Sequence, residues 1–283
     1  MKLRYTAAWV GMTAAAMVVT SACGSQGTKT ASDAVDKAVG RTGTIMAALS
    51  RATDRTEQLG SAQVRMTTDT GSGRPVTADG TYSWGHGYAF DVEMDTAAAQ
   101  MQTLQDSPTT RMLFVDGAYY YDVDPQPSGP LAGKEWMKVD SSAVFGKSGA
   151  DALSSAGGGS PSASMKSLKY ASDVDDLGEE KVDGRSTTHY RAVIDQNDMG
   201  RLKKAYTDED TLFDSMTGGS DSITMDVWVG AEDLPVRITQ NFGVMKVTMD
   251  FEKFGATKDV TAPPAAQTGD LTDAVKAAGS QAG

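Results

Sequence analysis

The chain has 283 residues, with 37 acidic and 26 basic side chains and a formal charge of −11 at pH 7. That excess of acid argues against a nucleic-acid partner and against a surface drawn by charge to anionic lipid headgroups. The one cysteine, Cys23, excludes a disulfide within the chain and a Cys/His metal site, so the folded part must rest on its own core.

Met1-Lys2-Leu3-Arg4 is a short positive start, and the run from Tyr5 to Ala22 is uncharged, small and apolar. This layout predicts a secretory signal over residues 1–22, marginal as a stable membrane-spanning helix. Val19-Thr20-Ser21-Ala22-Cys23 resembles the bacterial lipobox, with Thr20 where Leu or Val is usual. In that motif the cysteine sulfur takes diacylglycerol and becomes the new N-terminus. The alternative is a plain secretory signal that happens to end beside a cysteine. A secreted chain rarely keeps one unpaired thiol without a use for it, which favours lipid on Cys23. The expected location is then the outer face of the bacterial cell membrane. Cleavage leaves about 260 residues, enough for one large β-rich domain or two small ones. Losing Lys2 and Arg4 moves the charge from −11 to −13, which suits a body held off the membrane by a tether.

Residues 23–31 are rich in Gly, Ser and Thr without an apolar period and are predicted to be that flexible tether. From Ser32, apolar and small residues recur at three and four through Val35, Val39, Ile45, Leu49 and Ala52, predicting a helix that stops at Gly60. Alternation of period two follows. Ala62, Val64 and Met66 share one face, as do Val76, Ala78, Tyr82 and Trp84, then Tyr88, Phe90, Val92 and Met94. Asp116-Gly117 between apolar runs predicts a hairpin, and residues 136–139 a short strand. Residues 141–156 read as a helix, 157–161 as a flexible Gly/Ser/Pro break and 165–170 as a short helix. Strands resume near Lys181, turn at Asp183-Gly184 and run through residues 187–194. A helical excursion follows at Met199, Leu202 and Tyr206, then strands at 223–229, 234–242 and 247–251. Pro263-Pro264 is read as the domain's end and residues 265–283 as a flexible tail. The fold class predicted is α+β, a large curved antiparallel sheet with helices on one face.

Catalytic motifs are missing from the sequence: no Gly-x-Ser-x-Gly elbow, no Walker loop, and two histidines, His86 in a turn and His189 in a strand. The acidic groups Asp122/Asp124, Asp173/Asp175/Asp176 and Asp208/Glu209/Asp210 lack the glycine and terminal Glu of a calcium hand and read as solvated loops or weak calcium sites. No enzyme activity, metal or cofactor is therefore expected. Met66, Met94, Met225 and Met249 fall on the inferred apolar face. Two readings stand for them: core filler, or the adaptable wall of a space for an acyl chain.

Local signatures add a resemblance. Val182-Asp183-Gly184 running into Thr187-Thr188-His189-Tyr190-Arg191, Val227-Trp228-Val229-Gly230 leading to Leu234-Pro235-Val236-Arg237-Ile238, and Phe251-Glu252-Lys253-Phe254-Gly255 resemble the LppX/LprG family of lipoproteins over residues 32–264. The resemblance implies a LolA/LolB-like half-barrel with a helical lid and an apolar cavity, and carriage of lipids or glycolipids in the cell envelope without catalysis. Strand parity puts the ligand between sheet and first helix, touching Ile45, Leu49, Met66, Phe90, Val92, Met225, Val227 and Met249. The expected partners are a lipid or glycolipid, the membrane through Cys23, and no nucleic acid, with the chain a monomer. The competing expectation is an envelope sensor or adaptor that uses the same fold to bind a partner protein.

Overall fold

The computed structural model describes residues 27–154, 160–171, 173–200, 220, 222–255 and 257–282. The chain divides into two compact units, Met1–Gly40 and Arg41–Gly283. In the first, the described residues are the opening turns of helix α1, Gly27–Leu59. Cys23 and the signal segment lie outside the described residues. The helix starts five residues before Ser32, so residues 27–31 of the expected tether are helical. That stretch holds one glycine and no proline, and extending a helix through it costs at most about 1 kcal/mol per residue.

In the second unit α1 buries Ile45, Ala48, Leu49, Ala52, Thr53 and Thr56, one stripe at three-and-four spacing. The two buried threonines donate to the carbonyls four residues back, Leu49 at 2.8 Å and Ala52 at 2.7 Å, so the stripe carries no unmet hydroxyl. The helix stops at Gly60 as predicted. Its φ of +67° is the left-handed conformation that glycine adopts without strain, and its carbonyl accepts from Trp84 and Gly85 at 2.7 and 3.0 Å.

Twelve strands follow: β1 Ser61–Asp69, β2 Val76–Ser83, β3 Ala89–Asp95, β4 Thr109–Val115, β5 Ala118–Asp122, β6 Trp136–Asp140, β7 Asp173–Val182, β8 Arg185–Ile194, β9 Ile223–Val229, β10 Pro235–Phe242, β11 Met245–Phe254 and β12 Thr268–Asp270. They form one sheet in the order β12-β6-β5-β4-β3-β2-β1-β11-β10-β9-β8-β7. Every neighbouring pair is antiparallel except β12 and β6. Helix α2, Ser141–Ser154, is broken at Gly146, and α3, Pro161–Lys166, is capped by the Ser160 hydroxyl, which accepts from Ala163 N–H. Ser160 and Pro161, expected in a flexible break, therefore start a helix.

One apolar cluster joins Ile45, Leu49 and Ala52 of α1 and Met165 of α3 to inward residues of nine adjacent strands, from β4 to β7. Nine strands laid flat would span about 38 Å, whereas each helix is about 10 Å across. The sheet must curl around the helices for all of these residues to meet.

Two further boundaries depart from expectation. Strand β7 begins at Asp173, not near Lys181, and carries Asp173, Asp175 and Asp176 on a sheet edge, not in a loop. Its residues are exposed on both sides except Val174 and Val182, so no alternation marks it. At the other end, residues 265–282 of the expected flexible tail are ordered elements. β12 pairs with β6, Thr268 opposite Trp136, and helix α4, Thr272–Ala282, packs against α2. Three residues of Thr-Gly-Asp have no strand pattern of their own; the edge of β6 supplies it. Residues 257–264 reach β12 over the outer side of the sheet, where Val260, like Trp136, packs against the cluster of Ala89, Leu113, Val115, Ala118 and Tyr120. Of the helical excursion, residues 196–200 are helical with Met199 buried beside Ile194 and Ile223, while Leu202 and Tyr206 lie outside the described residues. Asp208, Glu209 and Asp210 lie outside them too.

Candidate functional site

Register places the inward side chains in rows. Met94, Ala78, Met66, Met249, Ile238, Val227 and Tyr190 stand side by side across seven strands. Ala62, Tyr82, Phe90, Phe114 and Tyr119 form a second row. All eight residues singled out from parity, Ile45, Leu49, Met66, Phe90, Val92, Met225, Val227 and Met249, meet in the one cluster between sheet and helices.

They are not equivalent. Val92, Met225 and Val227 are 1 % exposed and Leu49 2 %, so the centre of the face is filled by protein. Met66 and Met249 are half-buried and lie at its margin. The same margin holds Met46, Met94, Met112, Tyr88 and Tyr119. Methionine and tyrosine thus predominate among the partly exposed apolar residues packed around this cluster, Ala171 and Phe254 being the others. Thioethers adapt to irregular apolar shapes, and a tyrosine offers an apolar ring with one polar tip.

Polar groups at the centre are satisfied internally. Trp84 Nε1 donates to the Thr56 carbonyl at 3.0 Å and Thr110 Oγ1 to the Asp122 carbonyl at 3.1 Å. Burial pushes the Tyr119 hydroxyl up to about 12 and the Tyr88 hydroxyl well above the usual phenol range, Tyr82 and Tyr119 adding to the latter. These phenols stay neutral. Sequence reasoning took the tyrosines as apolar faces only and missed their grouping, since Tyr88, just before β3, reaches Tyr119 of β5 only through Phe114 of the strand between them.

The outer face has a different chemistry. Cross-strand pairs run along it: Arg65–Asp79 at 2.6 Å, Arg111–Asp91 at 2.6 Å, Arg191–Asp226 at 2.8 Å, and Arg237–Asp250. Trp228 points outward, as its parity predicts, and stacks on His189 at 4.2 Å. His189 sits between Glu180 at 2.9 Å and Asp226 at 2.7 Å, tying β7 to β8 and β9. Two grooves of about 690 and 500 Å³ open there, one along Arg65, Asp79, Glu93 and Glu252, the other along Asp91, Arg111, Lys253 and Lys258. Neither is lined by any of the eight predicted residues, and charged walls offer an acyl chain no transfer gain. Among the described residues, no group of three or more His, Cys, Asp or Glu side chains is arranged to hold a metal ion.

No family model matches the sequence. Two curated proteins are similar to it: "Putative lipoprotein SCO4650" of Streptomyces coelicolor, 26% identical over 92% of this chain and 87% of that one, and an "Uncharacterized 31.2 kDa protein in rplA-rplJ intergenic region" of Streptomyces griseus, 26% identical over 84% and 83%. Among solved structures, lipoprotein LppX of Mycobacterium tuberculosis superposes with a TM-score of 0.50 at 16% identity, over 77% of this chain and 98% of that one. The fold is that of LppX. The likeness read from the turns and strand pairs after Lys181 therefore holds at the level of fold, and the curved sheet with its helical cover is the architecture expected.

Proposed function

We propose that this chain is an envelope lipoprotein, anchored through Cys23 at the outer face of the cell membrane, that shields acyl chains of a lipid or glycolipid and carries them without catalysis. The observation that carries the reading is the margin of the inner face, where Met46, Met66, Met94, Met112 and Met249 stay partly uncovered beside an apolar centre. An acyl chain of the length of palmitate, about 15 methylenes, gains roughly 0.8 kcal/mol per methylene on leaving water. Membrane and protein both supply that gain, so exchange between them is nearly balanced and the protein's work is to keep the chain from water in transit. The LppX fold and the lipoprotein named among the relatives support the same reading.

Native mass spectrometry of the full-length protein, purified with no lipid added, tests it. Co-purified acyl lipid is expected, and a wild type that never carries lipid overturns the carrier. Feeding cells radioactive fatty acid tests the anchor separately: wild type takes label, and Cys23→Ser does not. A second reading, an adaptor that binds a partner protein, has one observation in its favour, the dense packing at Val92, Met225 and Val227. A lipid-free protein that retains a specific envelope partner would select it.

A further inference from the structure

We propose that Tyr88, Tyr119 and Tyr121 form a polar station at the β3–β5 end of the inner face, where their hydroxyls donate hydrogen bonds to uncharged acceptor oxygens, such as ester carbonyls, of the bound lipid. This rests on the lipid-binding reading and gives it a point of specificity.

The three rings hang on one aromatic tract. Tyr88 lies 5.7 Å from Phe114, Phe114 4.8 Å from Tyr119, and Tyr119 6.4 Å from Tyr121 and 6.3 Å from Phe145 of α2. All three tyrosines are half-buried, and none of the three hydroxyls has a hydrogen-bond partner among the described residues. The contrast with their neighbours is the point. Trp84 and Thr110 on the same face, and Thr56 of helix α1, each spend their donor on a backbone carbonyl. None of the three hydroxyls is shut away from solvent, so each is open to a ligand oxygen that takes the place of water.

Charge selects the acceptor. The inward positions of β1 to β6 hold Ala, Val, Met, Gly, Tyr, Thr, Phe and Trp84 beside them, with no Lys or Arg. A phosphate or carboxylate placed there would lose its hydration without a counter-charge. A neutral ester carbonyl needs only donors. Burial keeps all three phenols protonated, so each can donate.

The test compares two probes on the full-length protein: 1,2-dipalmitoylglycerol, which carries ester carbonyls, and hexadecane, which carries no oxygen. The Y88F/Y119F/Y121F variant keeps every ring and removes every donor. We expect it to bind dipalmitoylglycerol about tenfold or more weakly and hexadecane as wild type does. Tyr121→Phe alone, with near-ultraviolet circular dichroism as the check on folding, should show a smaller loss in the same direction. Equal losses for both probes, or none for the diester, overturn the station while leaving lipid binding intact. So does a wild type that takes hexadecane and refuses the diester. A wild type that takes neither probe overturns the lipid reading, and the station falls with it.

Discussion

At Gly80 an added Cβ would lie 2.1 Å from the Asp91 carbonyl oxygen and 2.7 Å from Val92 Cα. The position stands in the inward row between Val64 and Val92, so the missing side chain lets β3 close on β2 where the sheet turns over the helix. Its φ is not the reason; close backbone approach is. Gly80→Ala must push two strands apart and should destabilise by about 1–3 kcal/mol. Urea unfolding should show a lower midpoint with an unchanged slope. A midpoint equal to wild type would mean that the strands part freely here. The nearby Arg65–Asp79 pair is half exposed on both partners and contributes little, for all its 2.6 Å geometry.

At the scale of elements, the C-terminal strand and helix hang on one carboxylate. Asp270 ends β12, accepts from Thr272 N–H at 2.9 Å to start α4, and faces Lys138 of β6 at 3.0 Å. Desolvation raises this carboxyl, but the Thr272 hydroxyl and N–H and the Lys138 ammonium outweigh it and bring it down to about 2. A lowered value means that the folded state favours the ionised form. The contribution is therefore complete above about pH 4, the ordinary carboxylate range, and is lost as pH falls toward about 2. Half exposure makes it small. Asp270→Asn should speed amide exchange in α4 at neutral pH and flatten the acid dependence of exchange in that window. Exchange in β1 and β11, far from this edge, should stay as it is. An unchanged α4 would remove Asp270 from the docking of this helix.

For the whole molecule, the inner face combines a packed centre with a softer margin, and substitutions should separate the two. Val227→Trp adds bulk where 1 % of the side chain is exposed and should cost about 1–3 kcal/mol in stability. Met112→Trp, at the half-buried margin, should leave the thermal midpoint within scatter and lower the amount of co-purified lipid. If both variants lost only stability, the margin would be core like the rest, and the adaptor reading would gain. If Val227→Trp left stability unchanged, the centre would hold room that its burial denies.

Much of this was decided locally, and the rest could not be. Period-two alternation assigned Ala62, Val64, Met66, Phe90, Val92, Met225, Val227 and Met249 to one side because side chains alternate along any strand, whatever it pairs with. Asp116-Gly117 and Asp183-Gly184 marked hairpins for the same kind of reason: both residues of each pair have positive φ, which few residue types tolerate. The acidic edge strand β7 was hidden, since a strand exposed on both sides has no pattern to show. So were β12 and α4, which exist as elements because Trp136, Lys138 and α2 are beside them. Whether an apolar side chain ends in a filled centre or on an open margin depends on what lies across from it, often a hundred or more residues away. Parity says which way Met66 and Val227 point; only the curl of nine strands around the helices leaves the first half-buried and shuts the second in.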